Sequence, residues 1–526
     1  MSKADYLSPP IPTTIVVHST FIVERLVFRS CHQPQGNYFS GTNDMLKNLI
    51  IDRDAPLPHY RQLSDQIIDQ IQQGYLLSGA RLPSTRQLSK QLGIHRKSVV
   101  HAYEALALQD WIYTATGRGT FVSDDLPETG AEQLLTSLPE TNAPSPPAEL
   151  HLPEYMTMAE SVTHLPYHLD DGLPDPRLIP FVELERAWKS ALRRGNQYHR
   201  LGYASPQGIR PLREAIAGYL SKTRGLMVTA DHILLTRGVT HAFHLTLTAL
   251  LKPGDKVIVP ELNWANGNNA IRFHGGEILQ ARIDEKGLDT EHVAELMATH
   301  KVRMIYLTPH HQYPTTLIMP AARRIQLLEL ARANGVYVFE DDYDFDFHYG
   351  NVPIMPLASA RHDGLLLYAG SFTKAISPAF RVGYMVGNPA LIDELTKIRR
   401  IVDRQGDPTL EHALLELFRL DVLPRSLRRA KGVYQKRRDV LARLLTKELG
   451  AATSFKVPDG GMAIWTRFRE DIDMEAASKR AFNLGLSFSS GAPYGKKWNA
   501  TRLGFASSTE TELKEAVRIL KQSLQL

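Results

Sequence analysis

Cysteine is almost absent: Cys31 is the single one in 526 residues. That excludes a disulfide framework and any multi-cysteine metal site. It fits a reducing compartment, so the cytoplasm is the expected location. Long apolar runs are also missing. No stretch of about 18 apolar residues occurs, so no membrane span and no membrane partner are expected. The first residues hold two short apolar runs, Thr14–Val17 and Phe21–Phe28, broken by Glu24 and Arg25. They lack the basic start, continuous apolar core and cleavage site of a signal peptide. A strong charge imbalance is lacking too. The net charge of +5 permits a nucleic-acid partner without demanding one, so the distribution of charge must decide. With 43% apolar and 22% charged residues the composition is that of a globular protein, and the length allows two to four domains.

One local absence organises the chain. Between Arg118 and Arg177 there is no Lys or Arg, while Asp124, Asp125, Glu128, Glu132, Glu140, Glu149 and Glu154 alternate with six prolines. Such a stretch reads as an acidic linker. The expected division is residues 1–55 as an extension, 56–123 as a first patterned unit, 124–165 as linker and 166–526 as a second unit. Within the extension, Met45 is an alternative start of translation, since patterned sequence begins just after it. No internal repeat is apparent.

In the first unit Tyr60, Leu63, Ile67, Ile68 and Ile71 form a helical stripe. Pro83 breaks the chain, and Ser84 is placed to cap a helix over Thr85–Leu92. Gly93 turns into a third helix, about His95–Gln109. Trp111–Tyr113 and Thr120–Val122 then flank a glycine-hinged hairpin with Arg118 at its tip. This is helix–turn–helix spacing followed by a wing. His95, Arg96, Lys97 and Ser98 open the third helix, and a recognition helix meets DNA with its first residues. The unit carries 7 Lys/Arg against 4 Asp/Glu, so clustering outweighs total charge. The plainer reading is a solvated basic helix start.

In the second unit short apolar runs (His232–Thr236, Lys256–Pro260, Met304–Thr308, Val336–Phe339 and Leu365–Tyr368) alternate with helical segments such as Ala321–Ala333 and Pro389–Ile401. That alternation predicts a mostly parallel α/β sheet. One strand ends in Ser371-Phe372-Thr373-Lys374, with Arg381 seven residues later. A lysine beside hydroxyls and a guanidinium suits an amine that condenses with an aldehyde while Ser371, Thr373 and Arg381 hold a phosphate. Another strand runs into Glu340-Asp341-Asp342-Tyr343-Asp344. A carboxylate there would keep a pyridine nitrogen protonated, and the mutual repulsion of four acids would be relieved by a cation. The alternative is a solvated acidic turn. Thr236-Arg237-Gly238-Val239-Thr240 offers a strand–turn–helix start whose N–H groups suit an anion. Trp264 could stack on a flat ring, although a lone Trp is more often core.

The first unit, from Leu82-Pro83-Ser84-Thr85-Arg86 through Gly117-Arg118-Gly119-Thr120-Phe121, resembles a GntR-type winged helix–turn–helix. The resemblance implies DNA contacts at Arg86, His95, Arg96, Lys97, Ser98 and Gly117. The second unit resembles the fold-type I aminotransferase domain, with support from Tyr203…Gly208, Thr308-Pro309-His310-His311-Gln312-Tyr313-Pro314, Gly460-Gly461 and Arg502-Leu503-Gly504. That likeness implies pyridoxal 5'-phosphate in Schiff-base linkage to Lys374. Asp341 would face the ring nitrogen and Tyr343 the ring hydroxyl. Ser371, Arg381 and the backbone of Val239 and Thr240 would form the phosphate cup. Trp264 would stack, Arg502 would clamp a ligand carboxylate, and Tyr203 would reach the cofactor phosphate of a partner subunit. Tyr313 and Thr316 depart from the family's usual Asn and Gly. Asn266 stands where relatives sensing an ω-amino acid carry an arginine, which argues against a γ-aminobutyrate sensor.

Together these features resemble the MocR/GabR class of regulators. The resemblance implies a multidomain protein with a winged helix–turn–helix before an α/β aminotransferase-like domain. It also implies a head-to-tail, domain-swapped homodimer on two promoter half-sites of double-stranded DNA. The effector would be a small amino compound or the cofactor itself. A working aminotransferase with a vestigial DNA reader is the alternative. No residue is assigned to a metal.

Overall fold

The computed structural model describes residues 49–126, 153, 155–156, 165–193, 201–350, 354–372, 374, 376–495 and 497–526. Cys31, Thr373, nearly all of the expected extension and most of the expected linker lie outside the described residues. The chain divides into two compact units, Met1–Leu150 and His151–Leu526.

In the first unit α1 (His59–Gln72) buries Leu63, Ile67 and Ile71, the inner part of the apolar stripe. A short strand, β1 (Arg81–Leu82), which the apolar pattern does not announce, precedes α2 (Thr85–Leu92). Ser84 caps α2 in a full capping box: its side chain accepts from Gln87 N–H, and the Gln87 side chain accepts from Ser84 N–H. Gly93, at φ 63°, closes α2 in the left-handed conformation. Then come α3 (Arg96–Leu108), β2 (Ile112–Ala115) and β3 (Gly119–Val122). The strands pair in the order β1-β3-β2, which makes the wing three-stranded. The Tyr103 hydroxyl donates to Pro83 O at 2.8 Å and ties α3 to the turn before α2. Leu63, Ile67, Leu88, Val99, Leu106 and Val122 form the core.

The second unit is built on a seven-stranded sheet. Its strands are β5 (Ile233–Thr236), β6 (Lys256–Pro260), β7 (Glu277–Ala281), β10 (Val302–Leu307), β11 (Tyr337–Asp342), β12 (Leu366–Ser371) and β13 (Gly383–Val386), in the order β5-β13-β12-β11-β10-β6-β7. All pairings are parallel except the two made by β13. Each expected strand lies within two residues of its run at the start. β11 and β12 run three residues further, because their polar ends, Glu340-Asp341-Asp342 and Ala369-Gly370-Ser371, still pair with each other or with β13. Helices on both faces explain why the strands are apolar on both sides.

Smaller sheets complete the unit. They are β4 (Tyr167–Leu169) with β16 (Leu486–Phe488), the ribbon β8 (Ile283–Asp284) with β9 (Gly287–Leu288), and an antiparallel sheet of β14 (Thr453–Phe455), β15 (Ala463–Phe468) and β17 (Ala500–Gly504). None of these was expected from the apolar runs. β17 positions Arg502, which pairs across to Trp465 on β15. No described helix is long and apolar enough to cross a membrane.

Candidate functional site

The carboxyl ends of the parallel strands open into one cavity of about 340 Å³, the place where such sheets bind ligands. Asp341, Tyr343, Ser371, Lys374, Arg381, Val239, Thr240, Trp264 and Arg502 all line it. Tyr203 does not: it is 78% exposed, with the Arg404 guanidinium 3.8 Å from its ring centre.

Each wall has a local cause. The first residues of α4 (Val239–Leu250) follow Gly238, whose φ of 82° and ψ of −179° suit glycine. A β-carbon there would lie 3.2 Å from the Arg381 guanidinium. Arg381 is itself left-handed (φ 47°), and its Nη2 donates to Arg237 O at 2.9 Å. The first N–H groups of α4, which no side chain caps, and a guanidinium therefore share one corner, a cradle for a dianion.

Strand alternation sorts the acids, and the solvated acidic turn is excluded because all four are buried. Glu340 accepts from Leu357 N–H and Ala358 N–H at 2.8 and 2.9 Å. Asp342 accepts from Tyr368 OH at 2.7 Å, and Asp344 pairs with His311 at 2.7 Å. Asp341 alone lines the cavity. Its Oδ2 accepts from Tyr306 OH at 2.7 Å, and its Oδ1 has no hydrogen-bond partner among the described residues. Burial first, then Asp342 and Asp344, push its carboxyl up to about 7 against the Tyr306 hydrogen bond.

Lys374 donates to Gly172 O at 3.0 Å. Desolvation lowers its pKa, opposed chiefly by Asp171 and Asp170, so the amine is easier to free as a nucleophile. Arg502 is 2% exposed and lies 2.6 Å from Asp171 in an ion pair, with its guanidinium 4.8 Å from the Tyr313 ring centre. The Tyr313 hydroxyl donates to Asp171 at 2.8 Å. Asp171, Tyr313, Tyr306 and Thr308 also line the cavity, and sequence reasoning gave them no site role. Tyr306 and Thr308 sit at the carboxyl end of an expected strand, which was a usable signal. Asp171 had none, because its link to Arg502 spans 331 positions. Asn266 lines an adjoining open cavity of about 580 Å³ that shares Thr240 and Arg381.

In the first unit Arg86, His95, Arg96, Lys97, Gly117 and Arg118 are exposed and Ser98 is half-buried. His95 also caps α3, since its Nδ1 accepts from Lys97 N–H at 3.2 Å. Only its other ring edge remains for a ligand.

Comparison with known proteins follows this division. Residues 179–520 match the model of aminotransferase class I and II, and residues 59–122 that of bacterial regulatory proteins of the gntR family. The probable rhizopine catabolism regulatory protein MocR of Rhizobium meliloti is 25% identical over 90% of this chain and 95% of its own. The pyridoxine biosynthesis transcriptional regulator PdxR of Corynebacterium glutamicum is 30% identical over 72% of this chain and 77% of its own. The chain belongs to the MocR family of transcriptional regulators. As a GntR-type regulator it binds DNA through its first unit. The second unit of the regulator is similar to the α-aminoadipate aminotransferase LysN of Thermus thermophilus, solved with N-(5'-phosphopyridoxyl)-L-leucine. The TM-score is 0.63 at 26% identity, covering 68% of this chain and 92% of that one.

Proposed function

We propose that this regulator couples the state of a pyridoxal 5'-phosphate site on Lys374 to promoter binding, with an amino compound or the cofactor itself as the signal. The observation that carries the reading is the convergence of a desolvated lysine, a buried acid with an unpartnered oxygen, an anion cradle and a buried arginine on one cavity. These residues fit the cofactor. When bound, pyridoxal phosphate supplies a carbonyl for amines and an electron-withdrawing ring. Arg381, Ser371 and the start of α4 hold the phosphate. Asp341 would hold a cationic ring nitrogen, and Tyr343 and Trp264 are the aromatic side chains that would line its ring. Lys374 holds the reacting position. Arg502 binds a ligand carboxylate, for which it must exchange Asp171.

The same reading assigns DNA contacts to Arg86, His95, Arg96, Lys97, Ser98, Gly117 and Arg118. It makes the protein a cytoplasmic head-to-tail homodimer in which the exposed Tyr203 serves the partner's site. A ligand shifts DNA binding only through unequal affinity for two states of the protein. Full-length enzyme relatives such as LysN match only the second unit, whereas MocR runs through both; this favours regulation over a vestigial reader.

The test is a visible spectrum after adding pyridoxal phosphate, then borohydride reduction and peptide mapping. DNA footprints are compared with and without cofactor and across candidate amines. A yellow species reduced onto Lys374, with footprints that change, supports the reading. Absence of the chromophore, or unchanging footprints, overturns it.

A further inference from the structure

We propose that His310, His311 and His348 bind one divalent transition-metal ion, with Zn²⁺ the best match, in a site beside the cofactor cavity. His310 and His311 stand in the loop after β10, and His348 follows the turn Phe345–Phe347 after β11. Each contributes a ring nitrogen, and these atoms lie within 4.8 Å of one another. The ring centres of His310 are 4.4 Å from His311 and 5.6 Å from His348.

The first argument is satisfaction. His310 is 2% exposed and His311 1%, yet neither nitrogen of His310 nor Nε2 of His311 has a hydrogen-bond partner among the described residues. A buried polar group left so costs ~1–3 kcal/mol. One nitrogen of His310 and Nε2 of His311, each from a buried ring and close together, point to a shared ligand.

The second argument is orientation. Asp344 Oδ1 lies 2.7 Å from His311 Nδ1 and is 33 positions away in sequence. A carboxylate accepting from Nδ1–H leaves the Nε2 lone pair to a metal, which is the usual second partner of a metal-bound histidine. It also supplies a negative charge beside the proposed ion.

The third argument is local charge. The cations packed nearby are already engaged. Arg224 pairs with Asp346 at 3.1 Å, and Arg324 donates to the carbonyls of Met319, Met355 and Pro309. Three imidazoles without thiolate suit Zn²⁺ and its neighbours rather than Mg²⁺ or Ca²⁺. Tetrahedral coordination puts ligand nitrogens about 3.3 Å apart, so side-chain rotation must close the nitrogens from within 4.8 Å by up to about 1.5 Å.

The site touches the cofactor cavity only through its wall. His311 O accepts from the Tyr343 hydroxyl at 3.1 Å, and Tyr313 is two residues on. A bound ion would stiffen the loop after β10, which carries Tyr313 and the carbonyl that holds the Tyr343 hydroxyl. The proposal stands whether or not Lys374 carries a cofactor.

The test uses untagged full-length protein, stripped with a chelator, titrated with Co²⁺ or Zn²⁺ and desalted. Expected are about one equivalent of metal retained per chain, a visible tetrahedral Co²⁺ band, and at least tenfold weaker binding in both His310→Ala and His348→Ala. No retained metal, or equal retention and an equal band in the two variants, overturns the proposal. If His310→Ala does not fold, the half-buried His348→Gln carries the comparison, and lack of a Co²⁺ band in the unaltered protein is decisive by itself.

Discussion

Replacing Asp341 by Asn separates the cost of the buried acid from its use. In the folded chain the carboxyl is raised from the usual 3.8 to about 7, by burial before anything else. The folded protein therefore keeps a proton that the unfolded chain loses first. Stability falls as pH rises between those two values and is flat above the upper one. At ~1.36 kcal/mol per pH unit the penalty amounts to about 4 kcal/mol at most. Asn escapes it at every pH. Its NH2, however, takes the place of the unpartnered Oδ1 and costs ~1–3 kcal/mol as a buried donor. The balance favours Asn by roughly 1–3 kcal/mol above neutrality and turns against it near pH 4, where the penalty has gone and the ~1–3 kcal/mol donor cost remains. In a unit of this size that is a rise of roughly 1–4 °C in melting temperature. With cofactor the order reverses. Asn forfeits a charge-assisted hydrogen bond of ~1.5–3 kcal/mol, so pyridoxal phosphate should bind roughly 10- to 150-fold more weakly. Thermal melts from pH 4 to 8.5 without cofactor, and absorbance titrations with it, read both halves. A cofactor-free variant no more stable than the parent at pH 8, together with unchanged affinity, would refute the assignment of Asp341.

Three further outcomes are expected. Lys374→Ala should abolish the borohydride-reducible chromophore while leaving DNA binding without cofactor intact, as checked by spectra and gel shifts. Gly238→Ala should weaken pyridoxal phosphate binding by at least tenfold, because its β-carbon meets Arg381 at 3.2 Å on a backbone that suits glycine; a cofactor titration decides it. Arg96→Ala and Lys97→Ala alter exposed side chains, so melting should hold while the slope of log affinity against log salt flattens by ~0.9 for each phosphate no longer neutralised.

Much of the fold was legible because the signals are local. Ser84, Gln87 and Gly93 start and stop α2 through bonds that reach no further than five residues. The runs that became β6 and β10 are apolar because helices cover both faces, and such burial leaves its mark on every residue. The antiparallel sheet holding Arg502 was not legible. Its β14 and β17 are three and five residues long, and β17 mixes Thr501 and Arg502 with apolar neighbours.

By itself the sequence determined which residues could carry the chemistry: Lys374 after a strand, Asp341 at the end of another, Gly238 before a helix, Arg96 and Lys97 at a helix start. Types and spacings suffice for that, since each function needs a particular group at a particular local position. The family resemblance singled out Asp341, while composition and spacing alone left the acids alike; tertiary structure gave the physical reason one of them faces the cavity. Four carboxylates in five positions are equivalent on paper, and only the register of β11 against β10 and β12 sends Asp341 to Tyr306 and Asp342 to Tyr368. It alone decided that Asp171 meets Arg502, that Tyr203 stands apart from the cavity of its own chain, and that three histidines from two loops converge. These are contacts between distant positions, created by the packing of strands, and no local pattern records them.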